Sequence, residues 1–409
     1  MASVANFLTE QASKYPELSA DYQALQNFYD NKQYHQLTEK LDAIVKDRSK
    51  WNGLNMVDLF NSFISDFKNR INPVSLADLA ITASKQLFPS RPYVASELSV
   101  ATKFLEELET FLSQGSTKNA LLGSSESLSA NALHLCKSEL FLLKIHGEKS
   151  EGGKQVLLQE LKARAEALED LRSPEPLVQS SFHRCAAELH RSMGNYGQFY
   201  KSCLMYLVFT PTKNVANDEG VKLATDLSFA ALLGDGIYNF GEIITNDILT
   251  LLDGTDKVWL KELLELFHNG NLAGFSPLVE KNKGAIEKQI PDFQVQEPKL
   301  RAKLEVLSLM ELVFRRPAKN RTIGFSEIGE VIQRPVSDVE VIVMRAMSEG
   351  LIRGTIDEVS QVLEASWVEP RVLDTPQIKS MVDRLDTWRS SVSETLRFIE
   401  NQTPEMFKA

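Results

Sequence analysis

The sequence has few of the residue types and patterns that mark secreted, membrane-spanning or nucleic-acid-binding proteins. Three cysteines in 409 residues are too few for a disulfide framework or a zinc knuckle. No apolar run approaches the ~20 residues that cross a bilayer, and the first residues, MASVANFLTEQASKYPE, lack the basic and apolar regions of a secretion signal. A net charge of −10 argues against nucleic acid as a general partner, because phosphate neutralisation supplies most of that affinity. We therefore expect an intracellular protein.

Familiar motifs for catalysis and cofactor binding are also missing. The sequence contains no Walker A loop, no HExxH pair and no GxSxG. Gly234, Gly236 and Gly241 lie in LLGDGIYNFGE, but their spacing is not GxGxxG, so we interpret them as allowing a tight turn or close helix packing. We accordingly predict that the chain is not an enzyme and binds no cofactor.

The nearest approach to a metal site is a group on one predicted helix, His183, Cys185 and His190. The two histidines are seven residues apart and share a helix face, whereas Cys185 points about 200° away from His183. Cys185 also lies on the apolar stripe of that helix. The sequence therefore predicts no metal site.

Most of residues 1–290 follow the 3.6-residue period of amphipathic helices. In PLVQSSFHRCAAELHRSM (176–193) the apolar residues form one stripe, and GQFYKSCLMYLVF (197–209) resumes the pattern after a Gly-Asn-Tyr turn, which predicts a helical hairpin. Similar pairs recur, as at 22–47. Such pairs bury their stripes by stacking on neighbours, so we predict a mainly α fold that begins with a right-handed, tetratricopeptide-like solenoid over 1–290. Segments 113–127 and 147–154 are predicted to be mobile loops.

The pattern changes after residue 290. PDFQVQEPK (291–299) is typical of a hinge, and an apolar helix follows from Leu304 to Phe314. The next predicted elements are a short strand at 322–325, two short helices, and two strands within LIRGTIDEVSQVLEASWV (351–368). Helix, strand, helix, helix, strand, strand is the order of a winged helix, which we place at 291–373.

Many winged helices insert their second short helix into the DNA major groove. Here that helix is PVSDVEVIVMRAMSEG (335–350), and outside its core stripe it offers Arg345 among three acids, together with Val341 and Met344. Such a surface is a poor reader of bases or phosphates. It favours protein docking, with a winged-helix nucleic-acid binder as the alternative of a different class.

The last segment, 374–409, is predicted to contain one long helix with a heptad seam. Ile378, Leu385, Val392 and Ile399 recur every seven residues, and Met381 and Trp388 lie between them. This seam packs either in a bundle with other chains or back on its own domain, and the sequence pattern fits both.

Several long strings carry a resemblance to a known family: NSFISDFKNRINPVSLADL, LLGDGIYNFGEII, LMELVFRRPAKNRTIGFSEI, SEGLIRGTIDEV and WVEPRVLDTPQIKSMVDRLDTW. With a helical solenoid that leads into a winged helix, they resemble the PCI-domain lid subunits of the 26S proteasome regulatory particle, in particular the non-ATPase regulatory subunit 13 family. The strings are spread over nearly the whole chain, although 85–127 and 145–160 diverge.

The resemblance implies a scaffold subunit without an active site, located in the cytoplasm and nucleus, which supports lid assembly and ubiquitin-dependent degradation within a hetero-oligomer. Its implied partners are other PCI subunits, the part of the lid that contains the metallo-deubiquitinase, and the ubiquitin receptor, with neither nucleic acid nor membrane among them. The implied bundle seam is Ile378, Met381, Leu385, Trp388, Val392, Leu396 and Ile399. The implied winged-helix face and wing comprise Val341, Met344, Arg345, Leu351, Arg353, Ile356, Val362 and Trp367.

A PCI scaffold subunit of the COP9 signalosome, or of a translation initiation factor, is the alternative within the same class. The long strings favour the proteasome lid over both.

Overall fold

The structure is a computed structural model that describes residues 2–15, 18–46, 56–86, 95–118, 125–148, 150–171, 173–211, 217–289, 293–316, 321–372 and 375–402. The chain divides into two compact units, residues 1–216 and 217–409. Together they confirm the predicted fold class, because helical repeats are followed by a winged helix with a small sheet and by a long C-terminal helix.

The first unit is built from helices alone over its described residues. They are α1 (Ala2–Lys14), α2 (Ser19–Asp30), α3 (Tyr34–Lys46), α4 (Met56–Leu59), a π-helical turn (Phe60–Ile64), α5 (Ser65–Phe67), a 3-10 turn (Lys68–Arg70), α6 (Pro73–Gln86), α7 (Ala95–Lys118), α8 (Ser125–Gly147), α9 (Glu151–Glu169), α10 (Pro176–Ser192) and α11 (Tyr196–Phe209).

The predicted hairpin at 176–209 forms as α10 and α11, which pack on each other. Val178, Cys185 and Leu189 of the predicted stripe are buried, because residues three and four apart lie on one helix face. Gly194 turns the chain with a φ of 71°, a conformation that glycine adopts without a steric penalty. The pair predicted at 22–47 is present as α2 and α3.

The two segments of this unit that were predicted to be loops are partly helical. Residues 113–118 continue α7 and residues 125–127 begin α8, while 119–124 lie outside the described residues. Residues 151–154 form the first turn of α9, where the Ser150 side chain accepts a hydrogen bond from the Gly153 amide. The prediction of a loop from the polar, glycine-rich composition was therefore wrong at these residues. The N-cap accepts a hydrogen bond from a backbone amide of the first turn, which stabilises a helix start of low helix propensity.

The second unit contains the predicted winged helix. Its elements are α12 (Asn217–Leu233), α13 (Gly241–Ile244), a 3-10 turn (Asp247–Leu252), α14 (Val258–Asn269), α15 (Leu272–Gln289), α16 (Phe293–Arg315), β1 (Thr322–Gly324), α17 (Phe325–Ile332), α18 (Val336–Ser348), β2 (Ile352–Asp357), β3 (Val362–Val368) and α19 (Thr375–Gln402). From α16 to β3 the order matches the prediction element by element.

The three strands form an antiparallel sheet in the order β1-β3-β2. Thr322 faces Glu364 on one side of β3, and Thr355 faces Glu364 on the other. The β2–β3 register shifts between Arg353 and Gly354, and a Cβ at Gly354 would approach the Glu364 carbonyl oxygen to 2.1 Å. Glycine is therefore required at this bulge. Strand β2 lies at one edge of the described sheet.

The hinge predicted at 291–299 is largely helical, which corrects the prediction. Helix α16 begins at Phe293 and contains Pro298, while residues 290–292 lie outside the described residues. Proline removes one intrahelical hydrogen bond. Pro298 itself is exposed. From Leu304 to Phe314, the range predicted for a buried helix, all residues are buried except Leu312 and Phe314, which are half-buried.

Candidate interaction surfaces

The C-terminal helix α19 exposes an apolar stripe to solvent. Every side chain described from Ile378 to Gln402 is exposed, including Leu385 at 58% and Trp388 at 67%. Large apolar side chains are usually buried away from water. An apolar stripe of this length is therefore a candidate docking surface.

The seven residues predicted for the seam all lie on this stripe, within about 80° of the helix circumference at 100° per residue. Between 45% and 67% of each side chain is exposed. Two further exposed apolar residues, Val382 and Phe398, were not predicted, although Val382 lies two heptads before Leu396 and occupies the same heptad position. Val382 widens the stripe, and Phe398 lies about 120° from its centre. The partner-binding role of the seam stays a prediction.

The second candidate surface is the outer face of α18. Val339, Val343 and Ala346 are fully buried and fix this helix in the domain, while Val341 and Met344 are 67% and 54% exposed. Arg345 is also exposed and forms an ion pair with Glu349 at 3.2 Å. The three residues predicted on this face are therefore neighbours on one exposed, largely apolar surface.

The wing residues have different environments. The Arg353 guanidinium lies 4.6 Å from the centre of the Trp367 ring, and both side chains are exposed, while Ile356 and Val362 are half-buried. These four lie on β2 and β3. Because β2 is an edge strand of the described sheet, its outer backbone groups can pair with another strand.

Leu351 does not belong to an exposed surface. Its side chain is 3% exposed and packs in the core. Its amide donates to the Ala346 carbonyl, and its carbonyl accepts from the Glu369 amide. These bonds hold Leu351 inward where α18 ends, so the exposed wing begins after it.

Lys303 is a buried charged residue that the sequence analysis did not identify. Its ammonium group donates to the carbonyl oxygens of Ala231 at 2.7 Å, Leu232 at 3.2 Å and Gly234 at 2.9 Å. Burial lowers its pKa to about 7, although the negative charges of Asp235 and Glu349 act in the opposite direction. Carbonyl groups at a helix C-terminus attract cations, so Lys303 caps the end of α12.

Of the three residues singled out in α10, Cys185 is buried and the two histidines, His183 and His190, are half-buried. The His183 ring is stacked on Phe209 with centroids 5.9 Å apart, and burial lowers the pKa of both His183 and His190. The Cys185 thiol donates to the Ser138 carbonyl at 3.0 Å, and burial raises its pKa to about 12. Among the described residues, no cluster of three or more His, Cys, Asp or Glu side chains could hold a metal ion.

In the described part of the chain, none of the helices has the length and apolar character to span a bilayer.

Comparison with known proteins assigns the chain first to a class. The PCI domain family matches residues 283–367, a range that includes the winged helix from β1 to nearly the end of β3. The chain is a PCI-domain protein. The predicted domain boundaries at 290 and 373 are not tested by this match and stay predictions.

The family follows from a second family match, which extends from the first unit into the second, and from relatives that align over nearly the whole chain. The PSD13 N-terminal repeats match residues 21–264. The chain is 34% identical to 26S proteasome non-ATPase regulatory subunit 13 homolog B of Arabidopsis thaliana over 98% of this chain and 99% of that protein. It is 31% identical to 26S proteasome regulatory subunit RPN9 of Saccharomyces cerevisiae, over 93% and 92% respectively. The chain belongs to the family of 26S proteasome non-ATPase regulatory subunit 13.

A match to a translation initiation factor is weaker and shorter. Eukaryotic translation initiation factor 3 subunit M of Phaeosphaeria nodorum is 23% identical over 51% of this chain. The initiation-factor alternative is therefore not favoured over the proteasome family.

Proposed function

We propose that this protein is a non-catalytic structural subunit of the lid of the 26S proteasome regulatory particle. The observation that carries the proposal is the identity of 34% with a proteasome regulatory subunit over 98% of the chain. The exposed stripe of α19 and the outer face of α18 supply apolar surfaces of the kind that a subunit of a larger assembly buries.

The non-catalytic part of this proposal is supported by the placement of the reactive side chains. All three cysteines are buried, and burial raises the pKa of Cys136 and Cys185 to about 12. A nucleophilic cysteine needs a lowered pKa and access to substrate. The Lys303 amine is buried and donates hydrogen bonds to three carbonyl groups, so its nitrogen has a structural role.

The proposed partners are other PCI subunits of the lid, reached through the winged helix, and a helical bundle reached through α19. The part of the lid that contains the metallo-deubiquitinase and the ubiquitin receptor are proposed as further neighbours, and the cytoplasm and nucleus as the location. Edge strand β2 suits side-by-side association, because an unpaired strand edge can add a strand from a neighbour.

The proposal predicts that a tagged full-length chain, expressed in a cell that supplies its partners, co-purifies with proteasome subunits in stoichiometric amounts. Quantitative mass spectrometry of the pull-down, combined with gradient sedimentation, measures the fraction of the chain in the large complex. Recovery of nearly all of the chain as a monomer, in extracts whose proteasomes remain intact, would falsify the lid assignment.

The outer face of α18 gives a second prediction. We expect Val341→Asp with Met344→Asp to lower the complexed fraction several-fold, because a desolvated carboxylate without a partner costs several kcal/mol. The free chain should unfold at nearly the same temperature, since exposed substitutions change stability by about 0.5 kcal/mol at most.

The matched control for the α18 variant is Val100→Asp with Val156→Asp. These first-unit valines are 54% and 63% exposed, close to the exposure of the α18 pair. Equal incorporation of the α18 variant and the wild type would show that this face does not contact a partner. Equal losses in both variants would show that any exposed apolar side chain has the same effect.

A further inference from the structure

The four residues after the wing, 369–372, lie against three helices of the second unit. We call this segment, Glu369 to Val372, the strap. Its first residue extends the pairing of the sheet, because the Glu369 amide donates to the Leu351 carbonyl at 2.8 Å. The chain then leaves the sheet, and α19 begins three residues after the strap ends, at Thr375.

Arg371 fixes the middle of the strap to α14 and α16. Its guanidinium forms an ion pair with Glu311 of α16 and donates to the carbonyl oxygen of His268, near the end of α14, at 3.1 Å. Only 8% of the Arg371 side chain and 10% of the Glu311 side chain are exposed. Charged side chains are rarely buried unless they are paired, so this contact ties down a segment that leaves the sheet.

Arg315 also contributes to this site, because its Nε donates to the other Glu311 carboxylate oxygen at 2.9 Å. Glu311 therefore joins a surface arginine, 72% exposed, to the buried Arg371. A bidentate or shared carboxylate restricts the orientation of each guanidinium more than a single bond does.

Val372 fixes the end of the strap to the start of α13. A Cβ placed on Gly241, the first residue of α13, would lie 2.4 Å from Val372 Cβ and 3.3 Å from His268 Cε1. Only glycine allows this approach. The Val372 amide also donates to Asn239 Oδ1 at 3.4 Å. The notch beside Gly241 therefore holds the Val372 side chain.

We propose that the strap is a latch that sets the direction in which α19 leaves the domain. Docked, it holds the chain at Glu311, His268 and Gly241, three points on three helices just before α19 begins. Released, it leaves α19 joined to the winged helix by an unanchored linker. The consequence for assembly, a stripe presented in one fixed direction, rests on the proposed function, whereas the latch itself does not.

Trypsin provides a direct test on the isolated full-length chain, because it cleaves after arginine and Arg371 lies inside the strap. We measure the rate of cleavage after Arg371 by mass spectrometry. The reference is cleavage after Arg389 in α19, whose side chain is 80% exposed. Each rate is divided by that of the same chain unfolded in urea, so that sequence preferences of the protease cancel. Cleavage then reports the open population.

We expect Gly241→Ala to raise cleavage after Arg371 by about tenfold or more relative to the wild type, because the added methyl group occupies the place of Val372. The matched control is Gly284→Ala in α15, where an added Cβ meets no atom within 4 Å; its rate should equal the wild-type rate. An unchanged rate in Gly241→Ala would overturn the proposal.

A compensating substitution separates the latch from a general loosening of the unit. Val372→Gly removes the side chain from the notch, so Gly241→Ala with Val372→Gly should be cleaved more slowly than Gly241→Ala alone. Accelerated cleavage throughout 217–372 without such rescue would also overturn the proposal. If Gly241→Ala does not fold, Arg371→Lys keeps a trypsin site and loses the planar donor fork, and the same rise after residue 371 is required.

Failure of this test leaves the lid assignment intact, because co-purification is measured independently of strap docking. Conversely, a chain that never enters the lid can still be cleaved slowly after Arg371, because the docked strap protects this site. The two results are therefore distinguishable.

Discussion

Leu385→Asp with Trp388→Asp is expected to leave the chain folded and to lower its incorporation into the lid by at least about tenfold, which corresponds to 1.4 kcal/mol. Both side chains lie in the middle of the α19 stripe and are 58% and 67% exposed. Their loss costs the isolated chain little. In a bundle they would be buried, and removing a central aromatic residue from an interface commonly costs 2 kcal/mol or more.

The matched control is Thr387→Asp with Ser390→Asp. These positions lie in the same turns of α19, on the face opposite the stripe at 100° per residue, so they add the same charge to the same segment. The complexed fraction is measured by quantitative mass spectrometry, and the helix content and thermal midpoint of the free chains by circular dichroism. Normal incorporation of Leu385→Asp with Trp388→Asp would contradict the seam, and so would equal losses in the two variants.

Periodicity in the sequence predicted the fold well, because every element from α16 to β3 depends mainly on which side chains face the core. The order of these six elements, helix, strand, helix, helix, strand, strand, follows from short apolar runs that have either the period of a helix or the period of a strand. The exposed seam of α19 was predictable for the same reason, since a heptad repeat places its apolar residues on one face.

The structure at the ends of helices and strands was less predictable. Leu351 was assigned to the wing because it begins the extended run LIRGTID and because the family resemblance implied it, but the hydrogen bonds that turn it inward come from Ala346 and Glu369. Its burial depends on backbone partners that side-chain alternation does not reveal. Residues 151–154 were assigned to a loop from their composition, although the cap provided by Ser150 suffices to start α9.

Long-range polar contacts were the least predictable features. Lys303, Glu305 and Glu311 are buried within or directly before the apolar run from Leu304 to Phe314, and a charged residue at such a position was the available signal. The partners could not be predicted, because Lys303 contacts carbonyl groups 69 to 72 residues earlier and Glu311 contacts an arginine 60 residues later.

Lys303→Met is expected to lower the free energy of unfolding by about 2–3 kcal/mol, because hydrogen bonds to charged groups contribute about 1.5–3 kcal/mol and buried carbonyl groups would lose their donor. Methionine keeps most of the side-chain volume, so the effect reports the side-chain nitrogen and the hydrogen bonds that it donates. The carbonyls of Ala231, Leu232 and Gly234 end α12 and begin the loop that carries Asn239 and Gly241. We therefore also expect faster trypsin cleavage after Arg371 in this variant.

The control is Lys299→Met, one turn earlier on α16, where the side chain is exposed and a change of about 0.5 kcal/mol at most is expected. The pH dependence of the free energy of unfolding gives a second measurement. An unfolded lysine keeps its proton up to its pKa of 10.5, while burial lowers the pKa of Lys303 to about 7. Between these values the unfolded state binds more protons, so this group makes the wild type more stable as pH rises, by at most about 1.4 kcal/mol per pH unit. The deficit of Lys303→Met measured by urea unfolding should therefore be larger at pH 9 than at pH 7. A constant deficit would mean that the three carbonyl groups, with Asp235 and Glu349, keep Lys303 protonated in the folded chain.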